Sequence, residues 1–285
     1  SINDTDCIDY CRGWALQQVL MSRRLHQRRQ AKESTTSEVQ DDDNILLLEH
    51  QPVYTLGRGA SEDHLTFLNN GDCEDARTKL SRKYRGSDSA RLSVDRRAMD
   101  EALLQRPLEE AVDLLVSAAT PVLAPNGVPI YRVDRGGEVT FHGPSQLVIY
   151  PMLDLKRKPY KADLHWFLRM VEEVVIQTLQ HYGIESGRDV INTGVWVGEN
   201  KIAAVGVSAS SWISSHGLAL NVAPDLDFFD TSIILPCGIE ERGVTSIQRE
   251  LLKTGEDVPS LQEVASVALG CMGEIFQIDI EKRSI

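Results

Sequence analysis

One cysteine in the chain stands where chemistry is possible. Cys237 lies in "SIILPCGIEERGVTS", residues 232–246, between a proline and a glycine that follow three apolar residues. A thiol is a nucleophile only as its thiolate, and an unperturbed one, with a pKa of about 8.5, is only a few per cent ionised at neutral pH. A histidine, or a lysine ammonium at close range, would have to ionise it. Residue type alone leaves the question open, because free cysteine is also among the most buried residues.

The other four cysteines, Cys7, Cys11, Cys73 and Cys271, show no C-x-x-C spacing, and the total of five is odd. Neither a disulfide framework nor a zinc ribbon is indicated, and a reducing compartment is expected. Cys7 and Cys11, four apart on an expected helix, read as packing residues. Cys271 belongs to the stripe Leu261, Val264, Ala265, Ala268, Met272, Ile275 and reads as core. His26, His50, His64, His165 and His181 have no H-E-x-x-H spacing, so a metal site is not expected; the chain also has no G-x-x-x-x-G-K-[ST] loop, and no cofactor is assigned to it.

The elements that must position these residues follow from period and punctuation. Residues 6–30 have helical composition, 31–43 form a polar loop, and "NILLLEH" is a strand. After "VYTLGRG", residues 60–106 are hydrophilic, contain the breaker Asn69-Asn70-Gly71, and read as a polar, mobile insertion. "PLEEAVDLLVSAA" is a helix. "VPIYRV", "EVTFHG" and "QLVIYPML" are three β-rich runs expected to form a meander. Leu164, Phe167, Leu168, Val171, Val175 and Leu179 repeat at helical spacing up to Gly183, which is placed for a left-handed stop. "GVWVG" and "KIAAVGVSA" suit a hairpin turning at Glu199-Asn200, and "HGLALNV" is another strand. Ser260 and Glu263 form a capping-box pattern that opens the terminal helix. Strands in runs with helices at intervals imply an α+β fold, mixed and antiparallel sheets packed with helices, and one domain over 1–285.

Composition narrows the classes. With 42% apolar residues the 285-residue chain can bury a sizeable core, and no apolar run approaches the ~20 residues that span a bilayer. The start of the chain lacks the charged and apolar pattern of a secretory signal. A net charge of -12 disfavours nucleic acid. The basic run "KRKPYK", residues 156–161, reads either as a solvated loop or as a face for an acidic partner.

The segments "LLLEHQPVYTLGRG", "DRGGEVTFHGPSQLVIYP", "GVWVGENKIAAVGV", "SSHGLALNVAPDL" and "PCGIEERGVTSI" occur in an order that resembles the octanoyltransferase family of lipoate synthesis, covering about residues 44–247. The resemblance implies the fold of the biotin/lipoate protein ligase catalytic domain. It implies that Cys237 carries the acyl group as a thioester and that Lys201 is its partner, whereas on its own Lys201 reads as a surface lysine of the hairpin. It further implies an acyl site lined by Arg135, Gly136, Gly137, Glu138, Val139, Thr140, Phe141 and His142, by Ala204, Val205 and Gly206, and by His216, Gly217, Leu218 and Ala219. Ala204 stands where family members often have serine. The glycines suit close backbone approach and N–H groups exposed to an oxyanion, or simply turns and bulges. Asp134 and Arg135 are expected to pair or brace the loop, with a donor phosphate as a further option for Arg135. Strand alternation suggests Val139, Phe141, Val205 and Leu218 as the wall of an acyl slot.

The implied reaction moves octanoyl from acyl carrier protein to the lipoyl-domain lysine of 2-oxoacid dehydrogenase E2 subunits and glycine cleavage H protein. No nucleic acid or membrane partner is expected, and the enzyme is taken as a monomer. The wording around Cys237 resembles eukaryotic members, which implies a mitochondrion or plastid, with a bacterial cytoplasm as the other option. The alternatives are an ATP-dependent lipoate/biotin ligase-like enzyme and a non-catalytic carrier-binding protein of the same fold.

Overall fold

A computed structural model describes residues 7–33, 43–69, 73–81, 83, 89–93, 101–235 and 242–283. In chain order the strands are β1 (Asn44–Leu48), β2 (Val53–Leu56), β3 (Val122–Leu123), β4 (Pro129–Arg132), β5 (Val139–His142), β6 (Gln146–Met152), β7 (Gly187–Arg188), β8 (Val195–Val197), β9 (Asn200–Ser210), β10 (Ile213–Asn221) and β11 (Gly243–Val244). The α-helices are α1 (Tyr10–Glu33), α2 (Glu74–Leu80), α3 (Glu101–Gln105), α4 (Leu108–Val116), α5 (Leu164–His181), α6 (Ile247–Thr254) and α7 (Leu261–Phe276).

The strands form two sheets. The larger runs β1-β6-β10-β9-β8-β7, with β11 pairing parallel to β9, and the smaller runs β3-β4-β2-β5. The larger sheet is covered on both faces, which explains why β6 reads as an uninterrupted apolar run. Its alternate residues Leu147 and Ile149 join the core under α5 and α7, while Val148 and Tyr150 face Met21 and Leu25 of α1. Residues of the smaller sheet divide the same way. Tyr54, Leu56, Ile130, Val139 and Phe141 form one core, and Val53 and Tyr131 pack on Trp14 of α1 and Val112 of α4.

The α+β class, the helix over 164–181 with Gly183 at φ +69°, and the capping box at Ser260 and Glu263 are all present. The meander is not. β4 and β5 flank β2, parallel and antiparallel to it respectively, and β6 lies in the other sheet. Short connections favour adjacent pairing, but the β4–β5 loop is drawn onto β9, as described below, and β2 takes the place between them. In the hairpin, Val197 pairs with Asn200, so the turn residues are Gly198 (φ +54°) and Glu199 rather than Glu199 and Asn200. Cys7 precedes α1 and shares no helix face with Cys11; burial pushes the Cys11 thiol up to about 12, consistent with an inert packing residue.

Of the stretch 60–106, the described residues place Ala60, Leu65, Leu68, Leu80 and Ala90 in the core of the smaller sheet. Buried Arg132 donates there to the carbonyls of Leu80 (2.6 Å), Gly57 (2.9 Å) and Ala60 (3.1 Å), and pairs with Glu62 (2.8 Å). In the run 156–161, Lys156 to Pro159 and Lys161 face solvent, and Tyr160 is buried with its hydroxyl donating to Asp43 (2.9 Å). No described helix is long and apolar enough to cross a membrane.

Candidate active site

The two sheets meet at a cavity of about 330 Å³, at the lower end of the ~300–1,000 Å³ typical of small-ligand clefts. Its walls come from the 135–140 stretch, from β9 and β10, and from the loop before β8. The β4–β5 loop is fixed by its own arginine. Arg135 is buried and donates to Gly136 O (2.9 Å), Thr55 O (2.8 Å) and Thr55 Oγ1 (2.8 Å), so it braces the loop. Asp134 accepts from Arg58 through its carbonyl (2.7 Å) and meets His216 Nε2 through its carboxylate (2.9 Å).

Gly136 donates its N–H to Val207 O (3.2 Å), which holds the loop on β9 and removes that N–H as an oxyanion donor. The approach requires Gly206, since a Cβ there would lie 2.8 Å from Gly136 O. His216 adopts φ +58° within β10, a left-handed conformation rare for a non-glycine residue, and its N–H is held by Gln17 Oε1 at 2.5 Å.

Lys201 is buried, only 9% exposed, which overturns the reading as a surface lysine of the hairpin. It lies opposite Trp196 across the β8–β9 ladder, with Nζ 4.8 Å from the indole centroid, and donates to Thr193 O at 2.8 Å. Gly194 makes room for the lysine stem. At φ +123°, a Cβ on Gly194 would lie 2.6 Å from Ala203 O and 3.2 Å from Lys201 Cε.

Arg135, Gly137, Glu138, Val139, Thr140, His142, Lys201, Ala204, Val205, Gly206, His216, Gly217, Leu218 and Ala219 all line the cavity. Gly136 and Phe141 do not. The Phe141 ring points to the opposite side of β5, stacked 4.6 Å from Phe228 in the core of the smaller sheet, so it is no part of an acyl wall. His142 and His216 are lining residues. Burial, with His50 and Arg135 adding repulsion, holds His142 well below the usual histidine range, and so neutral.

Sequence reasoning missed Tyr10, Tyr150, Ile191, Asn192 and Thr193, which also line the cavity. Thr193 meets Lys201 through its backbone, so its residue type carries no signal, and Tyr10 arrives from a helix distant in sequence. Burial pushes both tyrosine hydroxyls up, so they remain protonated.

Cys237 lies outside the described residues, as do all of residues 236–241. The chain on either side is described. Leu235 N–H donates to His64 O (2.7 Å), and the His64 ring meets the cavity residue Glu138 (2.9 Å). On the other side, Val244 pairs with Lys201 and Thr245 N–H donates to Lys201 O (3.0 Å). A narrow cleft sharing Thr140, Lys201 and Ala204 with the cavity is lined by Phe229, Arg242, Gly243 and Val244. A buried polar relay, His142 to Gln146 (2.8 Å), Gln146 to Asn221 (2.9 Å) and Asn221 to Thr245 O (2.9 Å), fixes this returning leg to β10.

Residues 114–270 match the profile of the lipoyl protein ligase A/B catalytic domain. An octanoyltransferase of Synechococcus elongatus is 36% identical over 279 residues, 98% of this chain and 88% of the relative, and a chloroplastic octanoyltransferase of Arabidopsis thaliana is 32% identical over 285 residues, 98% and 78% of the two chains. This chain belongs to the octanoyltransferase family. It is therefore an acyltransferase with a lipoate-related function. A lipoate-protein ligase A bound with ATP shares its fold, with a TM-score of 0.53 at 14% identity over 94% of this chain and 84% of that one. At that identity the likeness to the ligase speaks for architecture alone.

Proposed function

We propose that the enzyme carries an octanoyl group from acyl carrier protein to a lipoyl-domain lysine, with Cys237 as nucleophile and Lys201 as its partner. The observation that carries this reading is Lys201 itself, buried on the cavity wall, with the chain that returns after residue 241 paired along it through Val244 and Thr245.

In the first transfer the Cys237 thiolate attacks the thioester carbonyl. A new C–S bond forms, the bond to the carrier's sulfur breaks, and the leaving thiolate takes a proton from Lys201. In the second, the neutral acceptor amine attacks the Cys237 thioester. A C–N bond forms, the C–S bond breaks, and Lys201 takes up the amine's proton, leaving the thiolate and ammonium pair restored. Thioester exchange is close to neutral in free energy and amide formation runs downhill, so no nucleotide is required. Val205 and Leu218 give the slot its apolar wall, and Arg135, Gly137, Glu138, Val139, Thr140, His142, Ala204, Gly206, His216, Gly217 and Ala219 complete the proposed substrate site.

E2 lipoyl domains and the glycine cleavage H protein are the proposed acceptors. The cyanobacterial and chloroplastic relatives support a plastid as the compartment if the source is eukaryotic. The deciding experiment incubates the full chain with octanoyl-acyl carrier protein and an apo lipoyl domain in the absence of ATP. Octanoylation of the domain is expected. Modification that appears only when ATP and free octanoate are supplied would make the chain a ligase instead.

A further inference from the structure

Among the described residues, most of the large apolar side chains that face solvent, such as Leu114, Leu123 and Leu252, stand singly on separate elements, and isolated exposed leucines need no explanation. Val190 and Ile191 are different. They are adjacent, 96% and 89% exposed, on the loop before β8, and Ile191 stands at the cavity's rim.

The loop that presents them is firmly built. Asp189 Oδ1 accepts from the N–H groups of Ile191 (2.9 Å) and Asn192 (2.6 Å) and from the Asn192 side-chain amide (3.1 Å), and Oδ2 accepts from Arg242 Nη1 (2.6 Å). Three residues on from Ile191, Gly194 N–H donates to the buried carboxylate of Glu172 at 3.0 Å. The apolar pair is thus held out to water by a preorganised frame, which lowers the ordering cost of any contact made there.

We infer that Val190 and Ile191 are the docking point for the acceptor protein; the inference rests on the octanoyl-transfer reading and names the surface its second step uses. Reach selects the acceptor over the donor. A donor's acyl group rides at the end of a long flexible arm, so the carrier's body can stand away from the cavity. The acceptor amine sits on a four-carbon stem, so the acceptor's backbone must press against the rim, where these two side chains project. Charge agrees. Although the chain carries -12 overall, the carboxylates beside the tip are matched, Asp189 by Arg242 (2.6 Å), Glu172 by Arg169 (2.8 Å) and Glu173 by Arg188 (2.5 Å). An acidic domain meets no uncompensated repulsion from these groups.

The test uses the full chain and an apo lipoyl domain. Val190→Ser removes apolar area without touching the cavity lining. It is expected to raise the KM for the lipoyl domain about tenfold, with kcat at saturation and the rate of acyl-adduct formation from octanoyl-carrier protein unchanged. Ile191→Ser is read by direct binding of the apo domain without donor, and about a tenfold weakening is expected. An unchanged KM and unchanged binding overturn the inference. So does a loss confined to the step with carrier protein, which would make the tip a donor contact. Because binding is measured without chemistry, a wild-type enzyme that forms no adduct yet loses the domain on Ile191→Ser would sink the transfer mechanism and leave the docking surface standing.

Discussion

Lys201 owes its position to neighbours that no motif advertises: a carbonyl from Thr193, an indole from Trp196, and the missing side chain of Gly194. A lysine ammonium in this setting can stabilise a thiolate and exchange protons with it, whereas arginine does not give up its proton in proteins. Replacing Lys201 by alanine is therefore expected to slow acyl-adduct formation by roughly 10²–10⁴-fold, the usual scale of general acid–base catalysis. Lys201→Arg should not restore the rate, and rapid-quench measurement of the adduct reads both. A lysine that served only to pack the hairpin would instead be replaced by arginine with little effect on rate. The residue type and block around position 201 were legible in sequence, but the turn beside it suggested a surface site. What buries it is a cross-strand pairing and a backbone carbonyl, and neither leaves a trace in a list of side chains.

Among the elements, β9 and β10 do the most to shape the cavity, through glycines that let other backbone segments come close. At Gly217 a Cβ would lie 2.1 Å from Ile149 O and 2.7 Å from Pro151 Cδ. The first obstacle is backbone and cannot rotate away. Gly217→Ala is expected to force β6 from β10 and cost about 1–3 kcal/mol, the range for overpacking a well-filled site. Calorimetry or chemical denaturation would register it, and an unchanged melting temperature would contradict the close approach. Gly59, with nothing within 4 Å of its would-be Cβ, is the matched control. Most strands and the two large C-terminal-half helices could be read from period and punctuation, because each is a local pattern. Strand partners could not. The placing of β2 between β4 and β5 depends on Arg135 and Gly206 drawing the intervening loop to the other sheet, a long-range arrangement that local spacing does not encode.

For the whole molecule, the buried histidines make an acid-sensitive fold. His50 is fully buried between Ile8 O and the Tyr150 hydroxyl, each at 3.3 Å, and burial pushes its pKa from 6.5 down to about 4. Between those values the unfolded chain takes up a proton that the folded chain refuses, so stability rises with pH across the window and falls on acidification. The loss from pH 7 to pH 4 is on the order of 3 kcal/mol for this one group. His142 acts in the same direction. His50→Gln is expected to flatten the dependence of melting temperature on pH between about 4 and 6.5, and an unaltered slope would contradict the assignment. The family was visible in sequence because its blocks are contiguous; the meeting of both sheets at one cavity was not, since its walls come from residues as far apart as 10 and 219. The proposed reaction turns on Cys237 receiving the acyl group with Lys201 as its partner. Intact-mass measurement after mixing the enzyme with octanoyl-acyl carrier protein alone should show one octanoyl adduct on the wild type, labile to hydroxylamine, and no thioester on Cys237→Ser. A wild-type enzyme that octanoylates the lipoyl domain without ever carrying that adduct, or a Cys237→Ser variant that still forms the thioester, would contradict it.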